Sequence, residues 1–185
     1  MSEAATYSAL ETLRDGRRLY IRALRPEDET EMLAAVGQLS DQSVLRRFFT
    51  PKRRFSQKEI AFFLQVDFVN HVALVATIED GGRPCIVGGA RYVVCQPKKA
   101  EVAFVVVDGY QGQGIGAALL RHLAALAKRA GIEALLAEVL ADNVAMLKVF
   151  DGSGFCADKT RDADVVHVCL DLVETVRPAK TAKEA

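Results

Sequence analysis

The amino-acid sequence predicts one α/β domain of the α+β kind, with a mixed, mostly antiparallel central sheet of six to seven strands flanked by helices. Three observations carry that expectation. Apolar and β-branched runs at 71–78, 85–94 and 100–107 follow one another across short turns, as in an antiparallel meander. The last run feeds a glycine-rich turn, with Gly112, Gly114 and Gly116, that opens an amphipathic helix. At 185 residues, half of them apolar, the chain is long enough for one domain with its own core.

Residues 1–12 show no periodicity and are expected as a loose lead-in to a domain spanning 13–173, with 174–185 a polar tail carrying Pro178, Lys180 and Lys183. Alternation over 18–24, with Leu19 and Ile21 on one face, predicts the first strand. Pro26 in a first turn, with Glu27 and Asp28 at the positive end of the dipole, starts the first helix. Two more helices are predicted around 41–49 and 56–65, the second opened by a capping box of Ser56 and Glu59. After the meander, whose first turn is Glu79-Asp80-Gly81-Gly82, Ile115, Leu119, Leu120, Leu123 and Leu126 recur at helical spacing, with Gly131 as the stop. A strand at 134–140, a helix over 143–153 capped by Asp142 or Asn143, and a last strand at 165–171 complete the order.

Basic and acidic residues number 24 each, so no global field recruits nucleic acid or an anionic membrane. The N-terminus has no basic-then-apolar leader, and no apolar run approaches the roughly 20 residues that span a bilayer; a cytoplasmic location is expected. Cys85, Cys95, Cys156 and Cys169 stand singly, without a Cys-x-x-Cys pair or a His at ligand spacing, so they read as reduced thiols and no metal is expected. His71, His122 and His167 lack partners at the spacing of a nucleophilic triad. The segment 46–54 interleaves Arg46, Arg47, Lys52, Arg53 and Arg54 with Phe48 and Phe49. Such a mixture suggests RNA stacking, although a helix end whose phenylalanines are core is the commoner origin. Lys148 and Arg121 sit on helices, where a solvated face is the commoner role.

The glycine turn carries the chemistry. Glycines at 112, 114 and 116 let successive backbone N–H groups converge at the positive end of the following helix, a concavity that holds a pyrophosphate without a lysine. The Gly-x4-Gly-Lys-Ser/Thr spacing of a nucleoside-triphosphate loop is absent. Gly112-x-Gly114-x-x-Ala117 also satisfies a relaxed dinucleotide fingerprint, but a doubly wound sheet needs more βα units than follow Ala117, and meander strands precede it.

The turn Gln111-Gly112-Gln113-Gly114-Ile115-Gly116, its strand from Glu101, and the downstream run from Asn143 to Phe150 closing with Gly154-Phe155 resemble the GCN5-related N-acetyltransferase (GNAT) superfamily. The resemblance implies that fold and acetyl-CoA bound in a V-shaped cleft, where strands 101–107 and 134–140 splay apart. Val105, Val106 and Val107 would pair with the pantetheine arm as with an added strand. The N–H groups of Gly112, Gln113, Gly114, Ile115, Gly116 and Ala117, after Gln111, would hold the pyrophosphate. Asn143 would hydrogen-bond the pantetheine, and Phe150 would lie along the cofactor. An N–H near Val105 would polarise the thioester carbonyl.

An amine protonated near a pKa of about 10.4 is no nucleophile at neutral pH, so the reaction needs a base. Glu101, the acid at the head of the apolar run 102–107, is the candidate, on the expectation of a partly desolvated carboxylate; its alternative is an ion pair with Arg91 across the meander. Many family members carry Tyr where this chain has Phe150, so the proton for the departing thiolate is left to Tyr110, to water, or to none. Leu39-Ser40, Ser43 and Arg47-Phe48-Phe49, after Arg22-x-Leu24-Arg25-Pro26-Glu27-Asp28, resemble more narrowly the bacterial protein lysine acetyltransferases of the Pat type. That resemblance implies, as partner, the active-site lysine of an AMP-forming acyl-CoA synthetase, with 46–54 as a docking surface. A small amine acceptor and a non-catalytic acyl-CoA sensor are the alternatives, and monomer and homodimer stay equally open.

Overall fold

The three-dimensional structure is a computed structural model that describes residues 2–51 and 54–173. The polar tail expected at 174–185 lies outside them. Among the described residues eight strands form one sheet: β1 (Ser8–Thr12), β2 (Arg18–Ala23), β3 (His71–Asp80), β4 (Arg83–Gln96), β5 (Lys99–Val106), β6 (Ala134–Leu140), β7 (Cys156–Asp162) and β8 (Val165–Asp171), in the order β1-β2-β3-β4-β5-β6-β8-β7. Five α-helices accompany them: α1 (Glu29–Gly37), α2 (Asp41–Phe48), α3 (Gln57–Leu64), α4 (Ile115–Arg129) and α5 (Val144–Asp151). Every neighbouring pair is antiparallel except β5 with β6.

The strand period of two sorts β3 onto both faces of the sheet. Val72, Leu74, Ala76 and Ile78 join Ile115, Leu119 and Leu123 of α4 in the larger core, while Ala73 and Val75 pack with Leu24, Ala35 and Ile86 under α1. Burial on both faces explains why β3 reads as a continuous apolar run. The helix starts follow their caps: Ser40 accepts from the Ser43 amide, Ser56 and Glu59 close a reciprocal capping box, and Asn143 accepts from the Met146 amide. Pro26 and Asp28 fall in a short 3₁₀ turn ahead of α1, because buried Asp28 pairs with Arg22 through two 2.7 Å bonds and accepts from the Arg25 amide. Burial pushes the Asp28 carboxyl up, but Arg22 and the amide outweigh it and hold it below its ordinary value.

Two strands exceed the expectation, and one of them corrects the loose lead-in. Residues 8–12 pair with 18–22 as β1, Ala4 and Leu13 are buried, and the Ser2 hydroxyl donates to the Phe68 carbonyl at 2.7 Å. Its anchors are polar, the Tyr7 hydroxyl on His122 Nδ1 and His122 Nε2 on Glu11, which no hydrophobic period reveals. β7 is an edge strand of mostly exposed Asp, Lys, Thr and Arg, a composition that keeps edges from pairing further but erases alternation.

β5 and β6 pair only at Lys99/Ala134, Ala100/Leu135 and Glu101/Leu136. Beyond that point β5 stays with β4 up to Val106/Gly88 and β6 stays with β8 up to Leu140/Val165, so the two part as a V. α4 sets its first turns against β4 at Gly88, where an added Cβ would stand 3.0 Å from the Val105 carbonyl oxygen and 3.3 Å from Ile115. Gly88→Val is therefore expected to destabilise the domain by about 1–3 kcal/mol in chemical denaturation; an unchanged midpoint would count against this close contact.

Candidate functional site

The V opens into a cleft of about 760 Å3, within the roughly 300–1,000 Å3 of small-molecule sites. Glu101, Val105, Val106, Gly112, Gly114, Gly116, Ala117, Asn143 and Phe150 line it together, with Gln111 and Ile115. Val107 and Gln113 do not.

The glycine turn has the geometry its composition implies. Gly112 and Gly114 take φ of +75° and +91°, values that strain any L-residue with a side chain. The first intrahelical bond runs from Ala118 to the Gly114 carbonyl, so the N–H groups of Ile115, Gly116 and Ala117 lie ahead of it at the positive end of α4. Gln113 is turned the other way: its amide donates to the Gly109 carbonyl and accepts from Arg17, whose guanidinium also lies 5.7 Å from the Tyr110 ring centre. The β1–β2 hairpin thus braces the turn from behind, and Arg14 of that hairpin reaches the cleft.

The phase of the β4–β5 ladder decides which backbone groups face the opening. Val107 donates its N–H to Val87 at 2.9 Å, so it has none for a ligand, and its side chain belongs to the core under α1. With the register Gly88/Val106 and Gly89/Val105, the antiparallel alternation turns Val105 toward β4 and turns Phe104 and Val106 toward the V. The open edge is thus offset by one residue from the expectation centred on Val105. Gln111 is drawn into this edge, its Nε2 donating to the Val106 carbonyl at 3.0 Å, with Ser43 Oγ and Asp108 Oδ1 also in reach. That side chain fixes the end of β5 to α2 rather than facing a phosphate.

Asn143 spends its Oδ1 on the Met146 amide at 3.2 Å, which leaves its Nδ2 donor at the cleft wall. Phe150 is 1% exposed and packs edge-on against Phe104, with 6.0 Å between ring centres, as the cleft's apolar backing. Glu101 is exposed, which corrects the expectation of a partly desolvated carboxylate: it lies at the branch of the V, where the β6 partner ends. Its register partner is Val93, Arg91 pairs with Ala103, and the cation acting on it through space is Arg47 of α2.

Within the basic segment, Arg46 is used to hold the fold together. Arg46 bonds the Asp142 carbonyl at 3.1 Å and Gln42 bonds the Asp142 carboxylate at 2.7 Å, tying α2 across the cleft to the entry of α5. Phe48, Phe55 and Phe63 cluster with ring centres 4.9–6.1 Å apart and are half-buried, while Phe49 is exposed, so the expectation of core phenylalanines holds only in part. Lys52 and Arg53 lie outside the described residues.

Behind Phe63, Arg91 donates to His71 Nε2 at 3.1 Å and to the Phe63 carbonyl at 3.2 Å. Because a guanidinium only donates, His71 accepts at Nε2 and is neutral there. Burial first, and the Arg91 charge second, push its pKa down to about 4, against the opposing Asp67. Arg14, Arg46, Arg47 and Arg91 carry no local pattern that separates them from surface cations; the sequence reading leaves Arg14 unassigned and offers Arg91 only as an ion-pair partner for Glu101.

A sheet opened between two parallel strands over a free helix N-terminus, with a carboxylate at the branch, suits an extended ligand that carries an anionic group. Residues 42–155 match the model of the acetyltransferase (GNAT) family, and the chain belongs to that family. It is 31% identical over 161 residues to the acetyltransferase PA5475 of Pseudomonas aeruginosa, covering 85% of this chain and 87% of that one. It is 33% identical over 144 residues to the acetyltransferase Pat of Mycolicibacterium smegmatis, covering 77% of this chain and 42% of that longer relative. Among solved structures, the GNAT domain of S. lividans PAT superposes with a TM-score of 0.80 at 36% identity, over 89% of this chain and 96% of that domain. The chain is an N-acetyltransferase of the Pat type in fold and sequence. No helix among the described residues is long and apolar enough to cross a membrane.

The His71 environment has a checkable consequence. Its folded pKa lies below the ordinary value of about 6.5, so the unfolded chain binds the extra proton first as pH falls. The stability contribution is complete above about pH 6.5 and is lost progressively towards pH 4. In an NMR titration the His71 ring signals are expected to stay those of a neutral imidazole at pH 5.5; a midpoint near 6.5 would contradict the Arg91 contact.

Proposed function

We propose that the chain transfers acetyl from acetyl-CoA directly to an amine, with Glu101 as general base, and that the acceptor is a protein lysine, the active-site lysine of an AMP-forming acyl-CoA synthetase. The observation that carries the reading is the open edge of β5, which shares one cleft with the free N-terminus of α4 and with Glu101. Acetyl-CoA supplies the activated acyl group. The amides at the start of α4 hold its pyrophosphate, and the Phe104 and Val106 amides and Asn143 Nδ2 hold the pantetheine as an added strand. Backbone N–H on that edge polarises the thioester carbonyl.

Glu101 accepts the amine proton, directly or through one water; its exposure suits the water route, since bulk solvent reaches the branch. The amine nitrogen adds to the acetyl carbonyl carbon first, and the C–S bond then breaks with its electron pair leaving on sulfur. Phe150 carries no proton to give, and a thiolate with a pKa near 8.5 leaves without one. Similarity to Pat supports the protein-lysine acceptor.

The test is mass spectrometry of a purified AMP-forming acyl-CoA synthetase incubated with the protein and acetyl-CoA. One modified lysine in the synthetase active site is expected. Glu101→Gln is expected to slow the reaction by roughly 10²–10⁴-fold while acetyl-CoA binding holds. Intact binding with no modified lysine would sink the protein-acceptor reading and leave a small amine as the acceptor or a non-catalytic acyl-CoA sensor.

A further inference from the structure

Two arginines that the transfer reaction does not use lie where no carboxylate among the described residues pairs with them. A second cavity, of about 80 Å3, lies between the sheet and helices α1–α3. Its wall is hydrocarbon, including Met32, Val36 and Ile86, and it adjoins the cleft at Arg47, Phe48, Ala103 and Val105, which line both. Arg47 enters it from α2 and Arg91 from β4.

Neither guanidinium has a carboxylate of its own among the described residues. Arg91 is held by His71, by the Phe63 carbonyl and by the Phe63 ring at 5.0 Å, all neutral groups. Arg47 lies 4.9 Å from the Phe48 ring centre and makes no hydrogen bond to a described residue. Glu101 acts on Arg47 only through space, and the charge felt by Arg91 is the like charge of Arg47. Burial pushes both guanidinium groups down, Arg47 to about 10 and Arg91 to about 9, values at which both stay charged at neutral pH. Two cations facing one apolar wall repel each other and lose hydration, a cost that an anion between them removes.

We propose that Arg47 and Arg91 form a carboxylate subsite in the second cavity where it adjoins the cleft, taking a carboxylate borne on a short alkyl stem. The stem lies on the hydrocarbon wall and the head meets the two planar forks. The carboxylate comes from one of two sources, the far end of a dicarboxylic acyl group on CoA or the amine acceptor itself. The placement rests on the transfer reading, which sets the acyl carbon at the Phe104 and Val106 edge of β5, next to the wall that Ala103 and Val105 share with the second cavity.

The test has two arms, both on the full chain. Calorimetry compares succinyl-CoA with butyryl-CoA, esters of equal carbon count. If the acyl group is the source, succinyl-CoA binds about tenfold more tightly, and Arg47→Gln removes that advantage while butyryl-CoA binding holds. In the second arm, kcat/KM with acetyl-CoA is compared for Nα-acetyl-lysine and its C-terminal amide. If the acceptor is the source, the free carboxylate is favoured by a similar factor and Arg47→Gln erases it. Arg91→Gln acts in the same direction in either arm, and a melting curve establishes that each variant is folded. Acetyl-CoA binding with no carboxylate preference in either arm overturns the subsite alone. Failure of every CoA ester to bind overturns the transfer reading, and the subsite's placement with it.

Discussion

The parting of β5 from β6 after the Glu101/Leu136 pair is the constraint on which the rest of the structure depends. A sheet interior with unpaired backbone is expensive, because each buried N–H or C=O without a partner forfeits a hydrogen bond. The fold tolerates the gap by tying down both lips. β6 is held by β8 along its whole length, β5 is held by β4 to Val106, and Gln111 satisfies the Val106 carbonyl at the tip. What stays open is a short run of strand edge, the feature an extended amide-bearing ligand completes. α4 reaches this edge because Gly88 lets its first turn settle on β4, which brings the helix N-terminus to the mouth of the same gap.

The two faces of the sheet divide the work. On one, α4 and the larger core fix the donor side, with Phe150 and Phe104 as an apolar backing and Asn143 held in place by its capping bond. On the other, α1–α3 cover a small apolar cavity that Arg47 of α2 enters near Glu101 and Arg91 enters from β4. Period-two alternation makes this separation automatic: Glu101, Ala103 and Val105 share one face of β5, whereas Val102, Phe104 and Val106 share the other. A base at 101 and a donor-gripping edge at 104 and 106 are thus compatible on a single strand.

Much of this was legible in the chain. The meander, α2, α4 and the capped starts of α3 and α5 follow from strong local signals, alternation, the 3.6-residue period and Ser or Asn caps, and the structure has them. β1 and β7 were not legible, because one is anchored by Tyr7 and His122 and the other is a polar edge. At the site, the glycine turn could be read from composition, since positive φ at Gly112 and Gly114 favours glycine. The phase of β5 could not. Which amides face the V depends on one bond, Val107 to Val87, and a shift of one residue exchanges the two sides. The roles of Gln111, Gln113 and Arg46 were equally hidden, because each is set by a partner far away in sequence: Ser43, Arg17 and Asp142.

The most direct test of the central claim is hydrogen–deuterium exchange at single-amide resolution, with and without acetyl-CoA. The account predicts that the Phe104 and Val106 amides exchange readily in the free protein and become protected on binding, together with Ile115, Gly116 and Ala117, while Val105 and Val107 are protected in both states. Protection that appears on Val105 and Val107 instead, or binding that leaves this edge unchanged, would contradict it.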